Sequence, residues 1–294
     1  MANLKDIKRK IGSVKNTQKT TRAMKLVSTA KLRRTEEVAK RSRFFEDAIN
    51  QTLSEIAASI NQYKVGGIKG RYFEKPEAQG VVDILFITAD KGLCGGFNYQ
   101  TIKTVRNLLQ EYEKKGTKVR LKAVGKKGIE FFSFQGYELA DSVIGLSSSP
   151  DYKEAAAFIS RSVQDYLDEK IDGVILVHNG YKNMITQEIK VVNLLPIDTS
   201  KFEGSAPSSL IELEPDESEK VLESLINKYI EFNMYYALID SLAAEHSARM
   251  QAMDAATKNA KEMVESLTIS YNKARQESIT TELIEIISGM EAMK

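Results

Sequence analysis

The stretch that decides the fold runs from Met250 to Ala274 and reads MQAMDAATKNAKEMVESLTISYNKA. Apolar or small residues recur along it in alternating steps of three and four. This is the spacing of a helix that packs along one partner helix. The positions that keep the spacing are Met250, Met253, Thr257, Ala260, Val264, Leu267, Tyr271 and Ala274. The pattern therefore predicts one half of a left-handed coiled coil.

Both ends of the chain are free of helix breakers over unusual lengths. No Gly or Pro occurs between Ser13 and Val65, or between Asp216 and Ser288. The mean globular helix has only about 11 to 12 residues. A helix much longer than a compact domain needs a second helix against which to bury its apolar stripe. We therefore expect the two terminal segments to pair with each other.

The apolar pattern of the N-terminal segment is interrupted. It holds from Leu4 to Val14 and then meets the polar residues Gln18 and Thr21. Such a break changes a supercoil locally. We expect the apolar pattern to restart near Met24 and Val27 and to return at Val38, Phe45, Ile49, Leu53, Ile56 and Ile60.

The middle of the chain has the pattern of an α/β domain, with short apolar runs alternating with amphipathic helices. The predicted strands are Val81–Ala89, Val119–Val124, Gly173–His178 and Glu188–Ile197, and the predicted helices are Asn98–Lys115, Lys127–Phe134 and Asp151–Lys170. We divide the chain into an N-terminal coiled-coil helix (1–75), a Rossmann-like α/β domain (76–207) and a C-terminal coiled-coil helix (208–294). The predicted fold is an α/β domain inserted in a long antiparallel two-helix coiled coil.

Composition narrows the classes of function. The single cysteine, Cys94, excludes an internal disulfide framework. The N-terminus shows no apolar signal region, and no apolar run reaches the roughly 20 residues that span a bilayer. Residues 1–43 carry 14 Lys or Arg against three acids, although the whole chain has a formal charge of only +2. This basic arm predicts an electrostatic partner, which could be nucleic acid, an anionic membrane or an acidic protein.

Catalytic signals are weak. The turn from Asp90 to Phe97, DKGLCGGF, joins a predicted strand to a helix, where doubly wound folds bind phosphates. Its glycines form neither of the phosphate-binding motifs G-x-x-x-x-G-K-[ST] and G-x-G-x-x-G. This favours a structural turn or a contact surface over a nucleotide site. His178 and His246 lack metal-ligand spacing, and Cys94 has no evident base nearby. We therefore expect no catalytic residue, no cofactor and no metal site.

Three stretches, in order, carry a resemblance to a known family. Ser13–Arg34 reads SVKNTQKTTRAMKLVSTAKLRR, Ala89–Asn98 reads ADKGLCGGFN, and Ile279–Gly289 reads ITTELIEIISG. Together they resemble the gamma subunits of rotary F-type ATP synthases of the bacterial type. The resemblance implies a non-catalytic central rotor shaft. Such a shaft couples rotation of the membrane c ring, driven by ion flow, to ATP synthesis or hydrolysis on the beta subunits.

The resemblance also implies partners and contact residues. The partners are the alpha and beta subunits, the epsilon subunit and the c ring, and nucleic acid is not among them. The subunit would be peripheral, on the cytoplasmic face of a bacterial plasma membrane. Contacts with alpha and beta would involve Met24, Lys31, Arg33, Arg34, Cys94, Arg249, Gln276, Thr280, Glu282, Ile286, Ile287 and Met290. The foot, near epsilon and the c ring, would involve Arg43, Phe45, Glu203 and Glu212.

Two other classes of protein remain open at this point. One is a coiled-coil arm on an α/β nucleotide-binding or nucleic-acid-binding protein, but residues 1–43 contain no aromatic residue to stack on bases. The other is a tethering scaffold, which would need neither the α/β domain nor the three ordered stretches.

Overall fold

The computed structural model describes residues 4–63, 71–73, 80–197 and 218–293. Two long helices begin and end this part of the chain. Helix α1 spans Leu4–Tyr63, with 60 residues, and helix α5 spans Ser218–Glu291, with 74 residues. Apart from Gly12 near the start of α1 and Gly289 near the end of α5, the two helices contain no helix breaker, which permits their length. Within the described residues, no helix combines the length and the apolar character needed to cross a membrane.

A five-stranded sheet with three shorter helices lies between the long helices in the sequence. The elements are β1 (Val81–Ile87), α2 (Phe97–Lys114), β2 (Lys118–Val124), α3 (Lys126–Phe134), β3 (Leu139–Val143), α4 (Tyr152–Leu167), β4 (Gly173–Tyr181) and β5 (Gln187–Leu195). The strand order is β3-β2-β1-β4-β5. Neighbouring strands are parallel except β5, which is antiparallel to β4. The described chain therefore consists of a long helix, an α/β domain built on a mixed sheet, and a second long helix.

The predicted elements of the sheet region are found within a few residues of their bounds, with one omission. Strand β3 was not predicted from the sequence. Its residues, LADSV, alternate half-buried and exposed positions at one edge of the sheet. Such a short edge strand needs few apolar residues, so it leaves little signal in the sequence.

Each face of the sheet is covered by helices. On one face Leu85 and Ile87 of β1 pack with Ile159 of α4 and with Ile230 and Met234 of α5. On the other face, residues of β1 such as Phe86 pack with Ile102 of α2 and Phe132 of α3. This double cover explains the nearly continuous burial of β1 and β4, since a parallel strand in the middle of a sheet is buried on both sides.

One charged residue interrupts the apolar strand β1. Asp83 is fully buried, and its carboxylate accepts hydrogen bonds from Arg120 Nε at 2.7 Å and from Ser162 Oγ at 2.9 Å. Lys122 Nζ lies 3.2 Å from the same carboxylate. Arg120 also bonds Asp165 at 2.6 Å. The buried charges are thus paired, and the network fixes β1, β2 and α4 against one another.

The chain divides into two compact units. One consists of Met1–Thr29 with Arg249–Lys294, and the other of Ala30–Ala248. In the first unit, Thr257 Oγ1 lies 2.8 Å from Thr21 Oγ1, and Lys25 Nζ lies 2.6 Å from Asp254 Oδ1. The two helical segments of this unit therefore contact each other through polar side chains.

The buried stripe of α1 differs from the predicted one. Val27 is 57% exposed, and Val38 and Phe45 are also exposed, so the expected resumption of the apolar pattern at these three positions is wrong. Met24 and Ile49 are half-buried, and the side chains of Leu53, Ile56 and Ile60 lie outside the described part. The buried and half-buried positions instead continue the steps of three and four through polar residues. In the first unit they include Leu4, Ile7, Ile11, Val14, Gln18, Thr21, Lys25 and Ser28. Short polar side chains keep the stripe because they bond within the helix or across to α5.

Along α5 the eight positions from Met250 to Ala274 that keep the predicted spacing are all buried or half-buried. The intervening positions are more often exposed, and from Lys258 to Arg275 nearly all of them are. The spacing of three and four thus marks the inner side of this helix, as the sequence predicts.

Candidate functional site

The glycine-rich loop between β1 and α2 is a tight turn. Leu93 and Gly95 both adopt positive φ angles, 62° and 58°. The N–H of Phe97 donates to the carbonyl oxygen of Cys94 at 3.2 Å, and the N–H of Ala89 donates to Asn98 Oδ1 at 2.9 Å. The loop is therefore closed by its own hydrogen bonds before α2 begins.

The crevice beside this loop is where a doubly wound sheet would hold a nucleotide. It lies at the carboxyl ends of β1 and β4, where the strand order changes direction. Here Cys94 and Phe97 pack with Ala89, and with Ala244 and Ala248 of α5. The crevice is filled by the chain's own side chains. The packing gives the loop a structural role, in line with the glycine spacing.

Asp90 ties three loops together at the same edge of the sheet. Its Oδ1 accepts hydrogen bonds from the N–H of Lys126 at 3.0 Å and from the N–H of Gly145 at 3.3 Å. Burial alone would raise the pKa of the Asp90 carboxyl, but these two N–H groups, with Ser147 and Ser148, hold the pKa below its ordinary value. Asp90 is thus an ionised anchor for the loops that follow β1, β2 and β3.

The basic residues implied as partner contacts lie on the outside of α1. Lys31, Arg33 and Arg34 are exposed, whereas Leu32 between them is fully buried. One helical turn of α1 therefore presents three cations outward while its apolar side chain faces inward. Met24, in the other compact unit, is half-buried.

A small ionic cluster follows Met24 in the first unit. Asp254 lies 2.6 Å from Lys25 and 3.1 Å from Lys258, and both its side chain and that of Lys25 are partly exposed. The hydrogen bond from Lys25, and then that from Lys258, lowers the pKa of the Asp254 carboxyl. The cluster is solvent-accessible, so it specifies the contact between α1 and α5 more than it stabilises it.

The last turns of α5 are exposed on every side. All residues from Ile279 to Met293 are exposed, including those implied as partner contacts: Thr280, Glu282, Ile286, Ile287 and Met290. Gln276, one turn earlier, is exposed as well. The large apolar side chains in this segment are 48% to 90% exposed, and they are Ile279, Leu283, Ile284, Ile286, Ile287, Met290 and Met293. An apolar surface of this kind marks an interaction site.

Two implied contact residues are not on the surface. Cys94 is 2% exposed, and its Sγ accepts a hydrogen bond from Asn98 Nδ2 at 3.3 Å. Arg249 is 8% exposed. Next to Cys94, however, Leu93 is 64% exposed. The surface of the glycine-rich loop is therefore formed by Leu93 and not by the thiol.

The implied foot residues are only partly described. Phe45 is half-exposed, and its ring centroid lies 4.6 Å from that of Phe232 of α5. Arg43 belongs to α1, but its side chain lies outside the described part. Glu203 and Glu212 lie outside the described residues altogether, as do the predicted domain bounds near residues 75 and 207.

The two histidines are separately placed. His178 is 3% exposed, with Nε2 3.2 Å from Asp240 Oδ2. His246 is also buried, in α5. No group of three or more His, Cys, Asp or Glu able to hold a metal ion occurs among the described residues.

Sequence reasoning missed two polar residues of α5 that face the sheet domain. Asp240 and Ser247 are both buried. Asp240 is the single charged residue in the run YYALIDSLAA (residues 235–244), and such an isolated acid on a buried face was the available signal.

Comparison with known proteins gives a consistent picture. Residues 3–293 match the protein-family model described as ATP synthase. The ATP synthase gamma chain of a Nitratiruptor species is 81% identical over 294 residues, which is the full length of both chains. The ATP synthase gamma chain of Sulfurimonas denitrificans is 61% identical, again over the full length of both.

Solved structures agree at the level of the fold. A chain of the central stalk and c ring of the Tetrahymena thermophila mitochondrial ATP synthase superposes with a TM-score of 0.61 at 26% identity, covering 81% of this chain and 99% of that one. A chain of the Euglena gracilis mitochondrial ATP synthase gives 0.67 at 19% identity, covering 99% and 94%. With a family match over nearly the whole length and an 81% identical relative, the chain belongs to the ATP synthase gamma chain family.

Proposed function

We propose that the chain is the rotating central shaft of a bacterial F-type ATP synthase and contributes no catalytic group of its own. The observation that carries the proposal is the full-length, 81% identical match to an ATP synthase gamma chain. In this role the shaft couples rotation of a c ring, driven by ion flow, to ATP synthesis or hydrolysis on the beta subunits. Because the shaft is asymmetric, it would present a different face to each beta subunit. The c ring and the nucleotide sites of beta would then be linked by a coupling free energy that a stiff element carries.

An antiparallel coiled coil of α1 and α5 is part of the proposal. It is supported by two contacts in which the residue number rises in α1 as it falls in α5: Thr21 with Thr257, and Lys25 with Asp254. The division into 1–75, 76–207 and 208–294 is proposed with it. The gaps between α1 and β1 and between β5 and α5 contain both of these bounds.

The exposed end of α5 is proposed to turn inside an apolar sleeve formed by the alpha and beta subunits. By the register of the two contacts above, Leu4 at the start of α1 would lie beside about Ala274 of α5. The remaining turns would then have no partner helix. Their large, exposed apolar side chains support a bearing at Ile286, Ile287 and Met290 in which the contacts are apolar and non-directional.

Polar contacts with the beta subunits are proposed at two levels of the shaft. Gln276, Thr280 and Glu282 would contact beta near the tip. Lower down, the exposed Lys31, Arg33 and Arg34 would face an acidic moving segment of beta, because opposite charges steer such contacts. A contact with beta is also proposed at the half-buried Met24, whereas the burial of Arg249, 8% exposed, makes a direct contact with beta difficult there.

At the glycine-rich loop, the buried thiol of Cys94 makes a direct contact with beta difficult. We assign the contact to its exposed neighbour Leu93. The foot, with epsilon and the c ring as partners, is proposed around Arg43 and Phe45 and in the acidic segment that holds Glu203 and Glu212. The subunit would lie on the cytoplasmic face of the plasma membrane.

ATP hydrolysis by purified alpha and beta subunits, with and without this chain, tests the proposal. The chain alone should hydrolyse no ATP, and its addition should give a stable complex with sustained turnover. A chain that hydrolyses ATP by itself, or one that never associates with alpha and beta, would refute the rotor assignment. A charge-reversed variant, Lys31→Glu with Arg33→Glu and Arg34→Glu, should assemble but turn over more slowly.

A further inference from the structure

The β4–β5 hairpin holds α5 through two cross-strand residue pairs. His178 of β4 faces Lys190 of β5, and Tyr181 faces Gln187. His178 and Lys190 both contact Asp240 of α5. Tyr181 contacts Asp240, and Gln187 contacts Ser247. All of these residues belong to the same compact unit.

Asp240 is bonded by the hairpin on both carboxylate oxygens. Its Oδ2 accepts from Lys190 Nζ at 2.7 Å and lies 3.2 Å from His178 Nε2. Its Oδ1 accepts from the N–H of Tyr181 at 2.9 Å. Asp240 is 3% exposed, so water competes little for these bonds.

Ser247 is held in the same manner, two turns further along α5. Its Oγ donates to the carbonyl oxygen of Met184 at 3.0 Å and accepts from Gln187 Nε2 at 2.9 Å. Residues seven apart lie on one side of a helix. The hairpin therefore bonds a single side of α5 at two levels.

The hairpin approaches α5 closely at Gly180. A Cβ added there would lie 2.7 Å from Asp240 Oδ2 and 2.6 Å from Lys190 Cε. A side chain at this position would fit only if the ends of the Lys190 and Asp240 side chains moved, so a substitution of Gly180 would disturb the bonds to Asp240. The Nζ of Lys190 also lies 5.7 Å from the ring centroid of Tyr236, one turn before Asp240.

Polar and apolar contacts resist the turning of a helix in different ways. The hydrophobic effect itself is non-directional, although the close packing of a helix in a core also hinders its turning about its axis. Hydrogen bonds weaken steeply when their angles change, so bonds at two levels on one side oppose such turning. In the turns of α5 that precede Asp240 in the sequence, the helix packs on the sheet largely through apolar side chains. They are Ile226, Ile230, Met234, Ala237 and Leu238.

We propose that the β4–β5 hairpin is a torsional clamp that transmits rotation between the α/β domain and α5, with Asp240 and Ser247 as its positioning residues. The inference rests on the proposed rotor function. If torque enters at the foot and is used along α5, the junction between the sheet domain and this helix must not slip. The clamp adds directional hydrogen bonds to the resistance that close packing supplies.

The test compares variants in the assembled complex, in membrane vesicles, by the ratio of ATP-driven ion pumping to ATP hydrolysis. The double variant Asp240→Ala with Ser247→Ala should assemble and hydrolyse ATP, yet its ratio should fall by at least about twofold. Ser247→Ala alone removes one hydroxyl and tests the clamp if the double variant does not assemble. It should lower the ratio in the same direction.

The matched control is Leu238→Ala, which removes a buried apolar contact from the same helix without touching the hairpin bonds. It should lower thermal stability and leave the ratio unchanged. Ser247→Thr, which keeps the hydroxyl, should retain more of the ratio than Ser247→Ala. Angular fluctuation of a bead attached to the α/β domain of an arrested complex should widen only in the clamp variants.

The outcomes separate the clamp from the rotor assignment. If the unaltered chain pumps ions and the clamp variants match Leu238→Ala in both ratio and fluctuation, the clamp is refuted and the rotor assignment stands. If the unaltered chain neither assembles nor supports pumping, the rotor assignment fails, and the clamp fails with it.

Discussion

Thr257 of α5 donates a hydrogen bond to Thr21 of α1 across 2.8 Å, although the two residues are 236 positions apart in the chain. Thr21 in turn donates to the carbonyl oxygen of Gln18 at 3.1 Å. Thr21 is buried, so its hydroxyl depends on these partners. The apolar pattern of α1 is interrupted at Thr21, and at this same position polar groups join the two helices.

Thr257→Val should destabilise the chain by about 1 kcal/mol, because the buried hydroxyl of Thr21 loses its donor. The double variant, with Thr21→Val as well, should recover most of that loss, since a pair of valines suits a helix seam and leaves no unmatched polar group. Urea unfolding of all four chains gives the coupling energy. If the two losses simply add, the threonines do not act as a pair.

Gly125→Ala should be among the most damaging single-methyl changes in the chain. Gly125 has φ +98°, and an added Cβ would lie 1.9 Å from the backbone oxygen of Thr88. Backbone atoms cannot move aside as a flexible side chain can, so we expect a loss of about 3 kcal/mol or more.

Gly116→Ala is the matched control for this change. Gly116 also has a positive φ, +73°, but nothing lies within 4 Å of an added Cβ. Only the backbone strain remains, which costs about 1 to 2 kcal/mol. Thermal unfolding of both variants measures the difference. Equal losses would mean that the contact with Thr88 relaxes at little cost.

The sequence predicts the parts of this fold that depend on continuous burial or on a repeating period. The buried strands β1 and β4 and the inner positions of α5 between Met250 and Ala274 are of this kind. Strand β3 was missed because an edge strand of five residues with Asp141 and Ser142 resembles a loop. The inner side of α1 was misplaced at Val27 because its polar positions find partners that only the folded chain supplies.

The candidate site is harder to predict for a similar reason. The exposed tip of α5 and the basic turn of α1 follow from residue types along one helix. The contacts of Asp240 and Ser247 depend instead on which strand pair meets α5, and residues about 50 to 60 positions apart come together there. The sequence of α5 by itself shows no periodic pattern that would indicate such a contact.

Mild acid should weaken the fold through His178. Burial lowers the pKa of His178 below its ordinary value of 6.5 and outweighs the opposing effect of Asp240. Its Nδ1 is buried without a hydrogen-bond partner among the described residues, so a second ring proton has no acceptor. The unfolded chain therefore binds this proton more readily, and stability falls as the pH drops below about 6.5.

His178→Gln removes this titration and keeps a group that can donate to Asp240. Urea unfolding between about pH 7 and pH 5 should show a shallower loss of stability for the variant than for the unaltered chain. The variant as a whole can be less stable, because the comparison concerns the slope with pH. Parallel slopes would show that His178 does not carry the effect.

Gln276→Leu with Thr280→Val should lower ATP synthesis more than it lowers assembly of the complex. Both residues are exposed on the last turns of α5, so the change leaves the packing of the isolated chain intact. The Thr280 hydroxyl donates to the carbonyl oxygen of Gln276 at 2.9 Å, a bond within one turn that the helix can lose. Synthesis in vesicles and the yield of purified complex are measured together. Failure of assembly would assign these residues a structural role.

Removal of residues 290–294 should be tolerated. Met290 and Met293 are 65% and 90% exposed, so the truncation removes little packing from the chain itself. Ile286 and Ile287 remain to fill an apolar sleeve, which is non-directional and accepts a shorter helix. Ile286→Ser with Ile287→Ser in the full-length chain is the contrasting variant and should weaken assembly more than the truncation does. ATP synthesis in vesicles decides between them, and loss of all coupled activity in an assembled truncated complex would show that the tip is more than a bearing.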